Sequence, residues 1–155
     1  GLPDEVFLRG DVPMTKQEVR AAAIGKLAVR DGETYWDVGA GTGSVSVELA
    51  LLAPHSTVCA VECGGEACSL IRANREKFGV YNLELTQGRA PEVLAQLPAP
   101  DAVFIGGSGG EKSCRPVLHH RHCGGNSGHG SRCHDPAWDG APDQPGHRGT
   151  KPRSG

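Results

Sequence analysis

The sequence has no apolar run approaching the roughly 20 residues of a membrane-spanning helix, which excludes a transmembrane segment. It has no charge excess either, because 16 Lys and Arg against 18 Asp and Glu give a formal net charge of −2. This balance provides no basic face for a nucleic acid or an anionic membrane. The first residues, Gly1 to Glu5, lack the basic start and apolar stretch of a signal peptide. These absences favour a cytoplasmic protein.

The six cysteines lack the Cys-x-x-Cys spacing that is typical of redox and zinc motifs. Three of them, Cys59, Cys63 and Cys68, lie in or between predicted regular elements of a cytosolic fold, in which thiols stay reduced. We therefore expect neither a disulfide framework nor a metal site among them.

Strands and helices alternate through the first 110 residues. Apolar patterns predict strands over residues 34–38, 57–61, 83–87 and 101–105, and helices over residues 15–27, 45–52, 66–78 and 91–97. This alternation predicts an α/β fold with a parallel, Rossmann-like sheet, whose ligands bind beyond the carboxyl ends of the strands. The pattern stops after the fourth strand, so the sheet is expected to be truncated there.

Local signals mark several helix ends. Thr15 and Glu18 have the spacing of a capping box, with Pro13 just before them, and predict the start of the first helix. Gly79 predicts a left-handed cap after residue 78. Pro91 suits the first turn of the last, short helix.

Residues 111–155 break the pattern. They contain no Ile, Phe, Tyr or Met, and they hold six of the seven histidines. Without periodic apolar residues they cannot bury a core face, so a low-complexity, largely disordered tail is expected. The composition changes abruptly after the fourth strand, where an α/β fold would continue with further helices and strands. This change suggests a frameshifted product. We therefore assign residues 1–110 to an incomplete ligand-binding domain and residues 111–155 to the tail.

The central motif is a glycine loop after the first strand. It reads Asp37, Val38, Gly39, Ala40, Gly41, Thr42, Gly43. Alternate glycines let the backbone turn sharply and approach a ligand, and the next helix offers free N–H groups. A dinucleotide fingerprint would need glycine at position 44, where Ser44 stands. The Gly-x-Gly-x-Gly form suits the methionine carboxylate and amine of S-adenosylmethionine, and Asp37 could accept a hydrogen bond from that amine. The alternative is a tight turn without a ligand.

Two further strand ends carry candidate cofactor contacts. Glu62 ends the second strand, where a carboxylate can accept hydrogen bonds from both ribose hydroxyls, or can simply be solvated. Gly88, Arg89 and Ala90 follow the third strand and are expected beside the adenine. Arg89 cannot accept a hydrogen bond from the adenine amine, so backbone groups would recognise it. Arg89 itself would stack or lie on the surface.

Four segments carry a resemblance to a known family: GLPDEVF from residue 1, VPMTKQEVR from 12, WDVGAGTGS from 36 and PDAVFIGG from 100. Together they resemble the precorrin C15-methyltransferases of cobalamin biosynthesis, including the C-terminal half of precorrin-6Y C5,15-methyltransferase. The resemblance covers residues 1–110 and implies a class I methyltransferase fold with S-adenosylmethionine as cofactor. It also implies a tetrapyrrole substrate, methylation at C15, decarboxylation of the C12 acetate and a homotetramer. Whether a C5-methylating partner accompanies the chain stays open.

Substrate contacts are expected on both sides of the loop. Lys16 and Arg20, one helical turn apart, could pair with the carboxylates of a tetrapyrrole, or could form a solvated helix face. Backbone N–H groups after the fourth strand could bind another carboxylate, or this stretch could be a linker. That stretch comprises Gly106, Gly107 and Ser108. No catalytic base can be named from the sequence.

Three residues near the first helix each have two alternative assignments. Thr15 is assigned as a helix cap and is also kept as a candidate cofactor contact. Arg9, together with Asp4, could form part of a lid over the cofactor or a surface turn.

Other functions stay open at this point. The same fold could methylate RNA or protein carboxylates, although the sequence lacks a basic patch. The chain could also be an inactive fragment with a metal-binding tail, although the tail's ligands fit no zinc module. Those ligands are Cys114, His119, His120, His122, Cys123, His129, Cys133 and His134.

Overall fold

Four parallel strands form the centre of the protein in a computed structural model, which describes residues 1–106 and the backbone of residues 119–120. The strands are β1 (Thr34–Val38), β2 (Thr57–Glu62), β3 (Leu83–Gln87) and β4 (Ala102–Ile105). They lie in the order β3-β2-β1-β4. The predicted α/β fold with a parallel sheet is confirmed, and three of its four strands begin at the predicted residue.

The chain reverses its direction across the sheet at β1. Val38, the last residue of β1, lies in register with Val61 of β2 on one side and Ile105 of β4 on the other. The strand order therefore switches between β1 and β4, and parallel α/β sheets bind ligands in the crevice beyond the carboxyl ends of the strands at such a switch point.

Three helices connect and cover the strands: α1 (Gln17–Leu27), α2 (Ser44–Leu52) and α3 (Gly65–Phe78). Helix α3 ends as predicted, because Gly79 takes a left-handed φ of 65° and its N–H closes onto the last turn. Helix α2 is buried on nearly every side from Ser44 to Ala50, since the sheet, α1 and α3 all pack around it.

Two predictions about helices are wrong. Helix α1 begins at Gln17, its N-cap is Lys16, and no side chain caps it, so Thr15 and Glu18 form no capping box. The predicted helix over residues 91–97 is only a 3-10 turn, Leu94–Gln96. Pro98 and Pro100 follow directly and prevent the backbone from continuing as a helix.

The core lies between the sheet and the helices. Val47 and Leu49 of α2 pack in one cluster with Val58, Ile71 and Leu83, all of them fully shielded from solvent. Burying a side chain of this size stabilises the fold by about 1.5–3 kcal/mol. This cluster fixes α2 and α3 against the sheet.

The amino-terminal end of the sheet carries a separate polar network. The Tyr35 hydroxyl donates to the Glu33 carboxylate at 2.6 Å and accepts the Arg30 N–H at 2.7 Å. Burial, together with the nearby Glu33 carboxylate, raises the pKa of Tyr35 to about 12. On the same rim, the exposed His55 ring contacts Asp31 at 2.5 Å. The network fastens the strand starts, far from the ends that face the crevice.

A fifth, two-residue strand, β5 (His119–His120), pairs antiparallel with Ala102 and Val103 of β4. The rest of the predicted tail, residues 111–155, lies outside the described residues, as do Gly107 and Ser108. Within the described part of the chain, no helix has the length and apolar character needed to cross a bilayer.

Candidate functional site

The glycine loop between β1 and α2 turns through three left-handed positions. Gly39, Gly41 and Gly43 have φ values of 75°, 57° and 77°. A side chain at Gly41 would place its Cβ 3.1 Å from the Pro13 carbonyl oxygen, and one at Gly43 would meet Ile71 at 3.0 Å. Both the backbone conformation and the close packing therefore require glycine at these positions.

Backbone hydrogen bonds hold this turn in place. The N–H groups of Gly39 and Ala40 both donate to the Val61 carbonyl, at 2.9 and 3.1 Å. Gly43 is the N-cap of α2, and no side chain caps that end. The first turn of α2 therefore directs N–H groups that have no helical acceptor toward the crevice. Such a helix N-terminus favours the binding of a carboxylate.

Asp37 is buried beneath the loop, with 1% of its surface exposed. One carboxylate oxygen accepts the Ser46 hydroxyl, and the other, Oδ1, has no partner among the described residues. Burial raises the pKa of Asp37 to about 6, and the nearby Glu62 charge adds to the rise while Ser46 opposes it. Thr42 Oγ1, also buried, is likewise unpartnered there. These two atoms supply unused hydrogen-bonding capacity directly below the loop.

Glu62 lies at the end of β2 and faces the same loop. Its Oε2 accepts the Gly41 N–H at 2.9 Å, and its Oε1 accepts the N–H groups of Cys63 and Gly64, both at 2.8 Å. The carboxylate is half-buried, and Oε2 keeps room for a further donor. The position suits a ribose hydroxyl, as the sequence predicts.

The segment after β3 presents less to a ligand than expected. The Gly88 N–H already donates to the Glu62 carbonyl at 2.9 Å. A Cβ on Gly88 would lie only 2.3 Å from Val93, so packing requires glycine here. Arg89 and Ala90 are exposed, in keeping with the surface alternative for Arg89.

Residues 1–16 form an N-terminal strap that crosses the helices and reaches the glycine loop. Arg20 of α1 fastens the strap, because its guanidinium donates to Glu48, Asp4 and the carbonyls of Leu2 and Thr15, at 2.5–3.1 Å. Its side chain is completely buried. The prediction that Arg20 binds substrate carboxylates does not fit this geometry, since its charge is already neutralised inside the protein.

The strap itself lines an open groove of about 450 Å³ beside the loop. Arg9 and Lys16 both line it, and the Lys16 side chain is 65% exposed, 3.9 Å from Asp4. These two cations can reach a ligand in the groove, in contrast to Arg20. Thr15 is half-buried, outside the helix, and contributes its carbonyl to Arg20.

Gly106 closes the crevice on the β4 side. Its N–H donates to the Val38 carbonyl at 2.8 Å, so it is not free for a substrate carboxylate, contrary to the prediction. A Cβ at Gly106 would come within 2.7 Å of the Gly39 carbonyl oxygen. Gly106 therefore lets β4 approach the glycine loop closely.

Two residues of the site were missed by sequence reasoning. Ser46 and Asn74 are both fully buried polar residues within helices, Ser46 against Asp37 and Asn74 between α3 and the loop. A polar residue at an inward-facing helical position was the available signal. In residues 1–106 no group of three His, Cys, Asp or Glu side chains is placed to hold a metal, and the side chains of the proposed tail ligands lie outside the described residues.

Known proteins share this sequence and architecture. Residues 5–126 match the family model described as "Precorrin methyltransferase domain". A Pyrobaculum calidifontis protein named "Probable cobalt-precorrin-6B C(15)-methyltransferase (decarboxylating)" is 54% identical over 112 residues, which are 70% of this chain and 57% of that protein. A Salmonella typhimurium protein named "Cobalt-precorrin-6B C(15)-methyltransferase (decarboxylating)" is 44% identical over 127 residues, covering 80% of this chain and 65% of that protein.

A solved structure agrees with these sequences. The crystal structure of precorrin-6Y C5,15-methyltransferase from Geobacter metallireducens superposes with a TM-score of 0.68 at 44% identity, over 71% of this chain and 59% of that one. The chain thus spans roughly three fifths of the length of the proteins it matches.

Proposed function

The chain belongs to the precorrin methyltransferase family, and from this premise we propose that it serves the S-adenosylmethionine-dependent methylation of a precorrin or cobalt-precorrin at C15, with decarboxylation of the C12 acetate. The observation that carries the proposal is the glycine loop of residues 39–43, held against the Glu62 carboxylate at 2.9 Å. This arrangement places a hydroxyl acceptor beside a helix N-terminus.

The residues present fit such a cofactor. The N–H groups at the start of α2 would hold the methionine carboxylate, and Glu62 Oε2 would accept a ribose hydroxyl. Asp37, whose Oδ1 is unpartnered in the described part of the chain, would attract the methionine amine through the loop or through water. Gly88, Arg89 and Ala90 border the adenine side in this arrangement. When bound, S-adenosylmethionine supplies a methyl group already activated by its sulfonium.

The protein's own task is then mainly alignment and charge balance. The strap groove lies beside the glycine loop, because Pro13 lines the groove and its carbonyl contacts Gly41. We propose that Lys16 and Arg9 bind carboxylates of the tetrapyrrole there. Both are long, flexible cations, which suits a substrate with several acidic side chains.

Three further properties remain proposals. A homotetramer and a C5-methylating partner come from the family resemblance, and a cytoplasmic location is the expectation from the sequence. Val19 of α1 and Leu51 and Leu52 of α2 are 54%, 44% and 59% exposed, which offers apolar area for a subunit contact.

Isothermal titration with S-adenosylhomocysteine, followed by a methyl-transfer assay on a precorrin acceptor, tests the proposal. We expect stoichiometric binding together with a product that has gained one methyl group and lost carbon dioxide. Binding without turnover would favour the alternative of an inactive fragment that keeps its cofactor half. Absence of binding by folded protein would overturn the proposal.

A further inference from the structure

A single buried amide joins three parts of the molecule. Asn74 lies on α3 and is fully shielded from solvent. Its Oδ1 accepts the Leu8 N–H at 2.8 Å, and its Nδ2 donates to the Leu8 carbonyl at 2.8 Å. The second Nδ2 hydrogen is donated to the Thr42 carbonyl at 2.9 Å. One side chain thus binds the strap and the glycine loop at the same time.

The two bonds to Leu8 fix the strap in orientation as well as position. An amide that pairs with both backbone groups of one residue imitates a partner strand, so it leaves little freedom to rotate. The third bond reaches the carbonyl in the middle of the glycine loop. Because the amide is planar and short, the separation between Leu8 and Thr42 is set by Asn74.

Neighbouring contacts show that the strap depends on α3 at this point. Phe7 packs on Phe78, with ring centroids 5.1 Å apart, and Lys77 Nζ donates to the Val6 carbonyl at 2.8 Å. Beyond Leu8 the strap continues to Pro13, whose carbonyl lies over Gly41. The attachment at Leu8 therefore helps to set the distance between the strap and the glycine loop.

We propose that Asn74 is a positioning residue that couples the order of strap residues 8–13 to cofactor affinity at the glycine loop. This inference rests on the proposed function of that loop. Asn74 does not touch the cofactor; it holds the Thr42 carbonyl, just before the start of α2, in a fixed position relative to the strap. Binding at the loop then orders the strap, and by linkage an ordered strap tightens binding.

A purely structural amide elsewhere in the chain provides the control. The Asn82 Nδ2 group donates to the carbonyls of Ala50, Ala53 and Ser56 at 3.0–3.2 Å, fastening the end of α2 that points away from the crevice. Asn82→Ala removes a comparable set of hydrogen bonds without touching the strap or the loop. Its effect reports the cost to stability alone.

The experiment compares Asn74→Ala, the isosteric Asn74→Asp and Asn82→Ala, each verified as folded at the working temperature. Dissociation constants for S-adenosylhomocysteine come from calorimetry, and amide hydrogen exchange is followed with and without this ligand. In the unaltered protein we expect the ligand to protect both the glycine loop and residues 8–13. Both Asn74 variants should bind about tenfold more weakly, which corresponds to about 1.4 kcal/mol of binding free energy. In them the ligand should protect the loop but no longer the strap.

Asn82→Ala should lower stability while keeping the affinity and the ligand-induced protection of the strap. Unchanged affinity in both Asn74 variants, or strap protection that survives in them, would overturn the inference. Failure of the proposed function is distinguishable, because the unaltered protein would then not bind the ligand at all. In that case, amide hydrogen exchange without the cofactor still tests whether the strap and the loop are coupled. Coupling requires that Asn74→Ala speed exchange at Leu8 and in the glycine loop together. Asn82→Ala should speed exchange at neither place.

Discussion

The Glu62 carboxylate accepts the backbone N–H of Gly41 at 2.9 Å, so the end of β2 and the middle of the glycine loop are joined directly. The same carboxylate also collects the N–H groups of Cys63 and Gly64. Glu62 is thus a fixed acceptor, oriented by backbone rather than by another side chain. A group held in this way loses little freedom when a ligand binds, which makes the interaction stronger.

Replacing Glu62 should weaken cofactor binding. Glu62→Ala removes the proposed ribose acceptor and the support of the loop. We expect the dissociation constant for S-adenosylhomocysteine to rise about 10- to 100-fold, since a hydrogen bond to a charged group contributes about 1.5–3 kcal/mol. Glu62→Gln keeps one acceptor oxygen and should lose less. Calorimetry measures both. Glu84→Ala, at an exposed position on neighbouring β3, should bind normally. Equal affinity of Glu62→Ala and Glu84→Ala would remove Glu62 from the cofactor site.

Two glycine substitutions should change stability in opposite directions. Gly106→Ala would force a Cβ to within 2.7 Å of the Gly39 carbonyl oxygen, and such overpacking costs about 1–3 kcal/mol. Gly25→Ala lies in α1, where nothing lies within 4 Å, and should stabilise the helix by up to about 1 kcal/mol. Urea denaturation gives both values. A neutral Gly106→Ala would mean that β4 can retreat from the loop.

Stability should fall with rising pH because of Asp37. The pKa of this carboxyl is raised in the folded protein to about 6 from 3.8. The folded state therefore binds the proton more tightly, so this contribution is complete below about pH 4 and is lost as the pH rises through 6. Relative to Asp37→Asn, the free energy of unfolding should drop by on the order of 3 kcal/mol between pH 4 and 7. Urea denaturation across this pH range measures the free energy of unfolding of both proteins. The same pH dependence in the Asp37→Asn variant as in the unaltered protein would contradict the prediction.

The buried guanidinium of Arg20 should matter for folding. Arg20→Met leaves the carboxylate of Glu48, itself 5% exposed, without its cationic partner, and we expect a loss of about 3–5 kcal/mol in the free energy of unfolding. Adding Glu48→Met should recover much of it, because two packed apolar side chains replace the pair. Lys16→Met, whose exposed contact with Asp4 is 3.9 Å long, should change stability by less than about 1 kcal/mol. If the double variant is no more stable than the single one, the unpaired charge is not the cause.

Lys16 should affect the acceptor and not the cofactor. We expect Lys16→Ala to raise the KM for a precorrin several-fold, up to about tenfold, because one charge-assisted contact is lost. The affinity for S-adenosylhomocysteine should stay the same. Lys26→Ala, at the exposed end of the same helix, is the matched control and should alter neither. Steady-state kinetics with the acceptor measure this effect, and a KM unchanged by Lys16→Ala would exclude Lys16 as a carboxylate ligand.

The sequence was most informative where one physical rule acts alone. The strands over residues 34–38 and 83–87 agree with the structure residue for residue, because each combines more buried with less buried side chains over a short segment that a glycine follows directly. Gly79 ended α3 for an equally local reason, its left-handed φ. The glycine loop was predictable for the same reason.

Predictions failed where a distant part of the chain competes for a group. Arg20 lies one helical turn from Lys16, which predicts that the two share an exposed face. The Arg20 side chain is instead buried, because it pairs with Glu48, 28 positions away. The sequence predicts that the Gly106 N–H is free for a ligand, but it donates to the Val38 carbonyl at the end of β1. Asn74 meets Leu8 across 66 positions, which no local pattern reveals.

The polar rim around Tyr35, Asp31 and His55 lies at the strand starts, opposite every group proposed to bind a ligand. His55 is 82% exposed there. This rim is therefore the natural place for a fluorophore, a surface tether or a fused affinity handle, because an attachment there leaves the mouth of the crevice unobstructed. The signal of a probe at this position would report unfolding of the sheet and would not change when a ligand binds at the carboxyl ends of the strands.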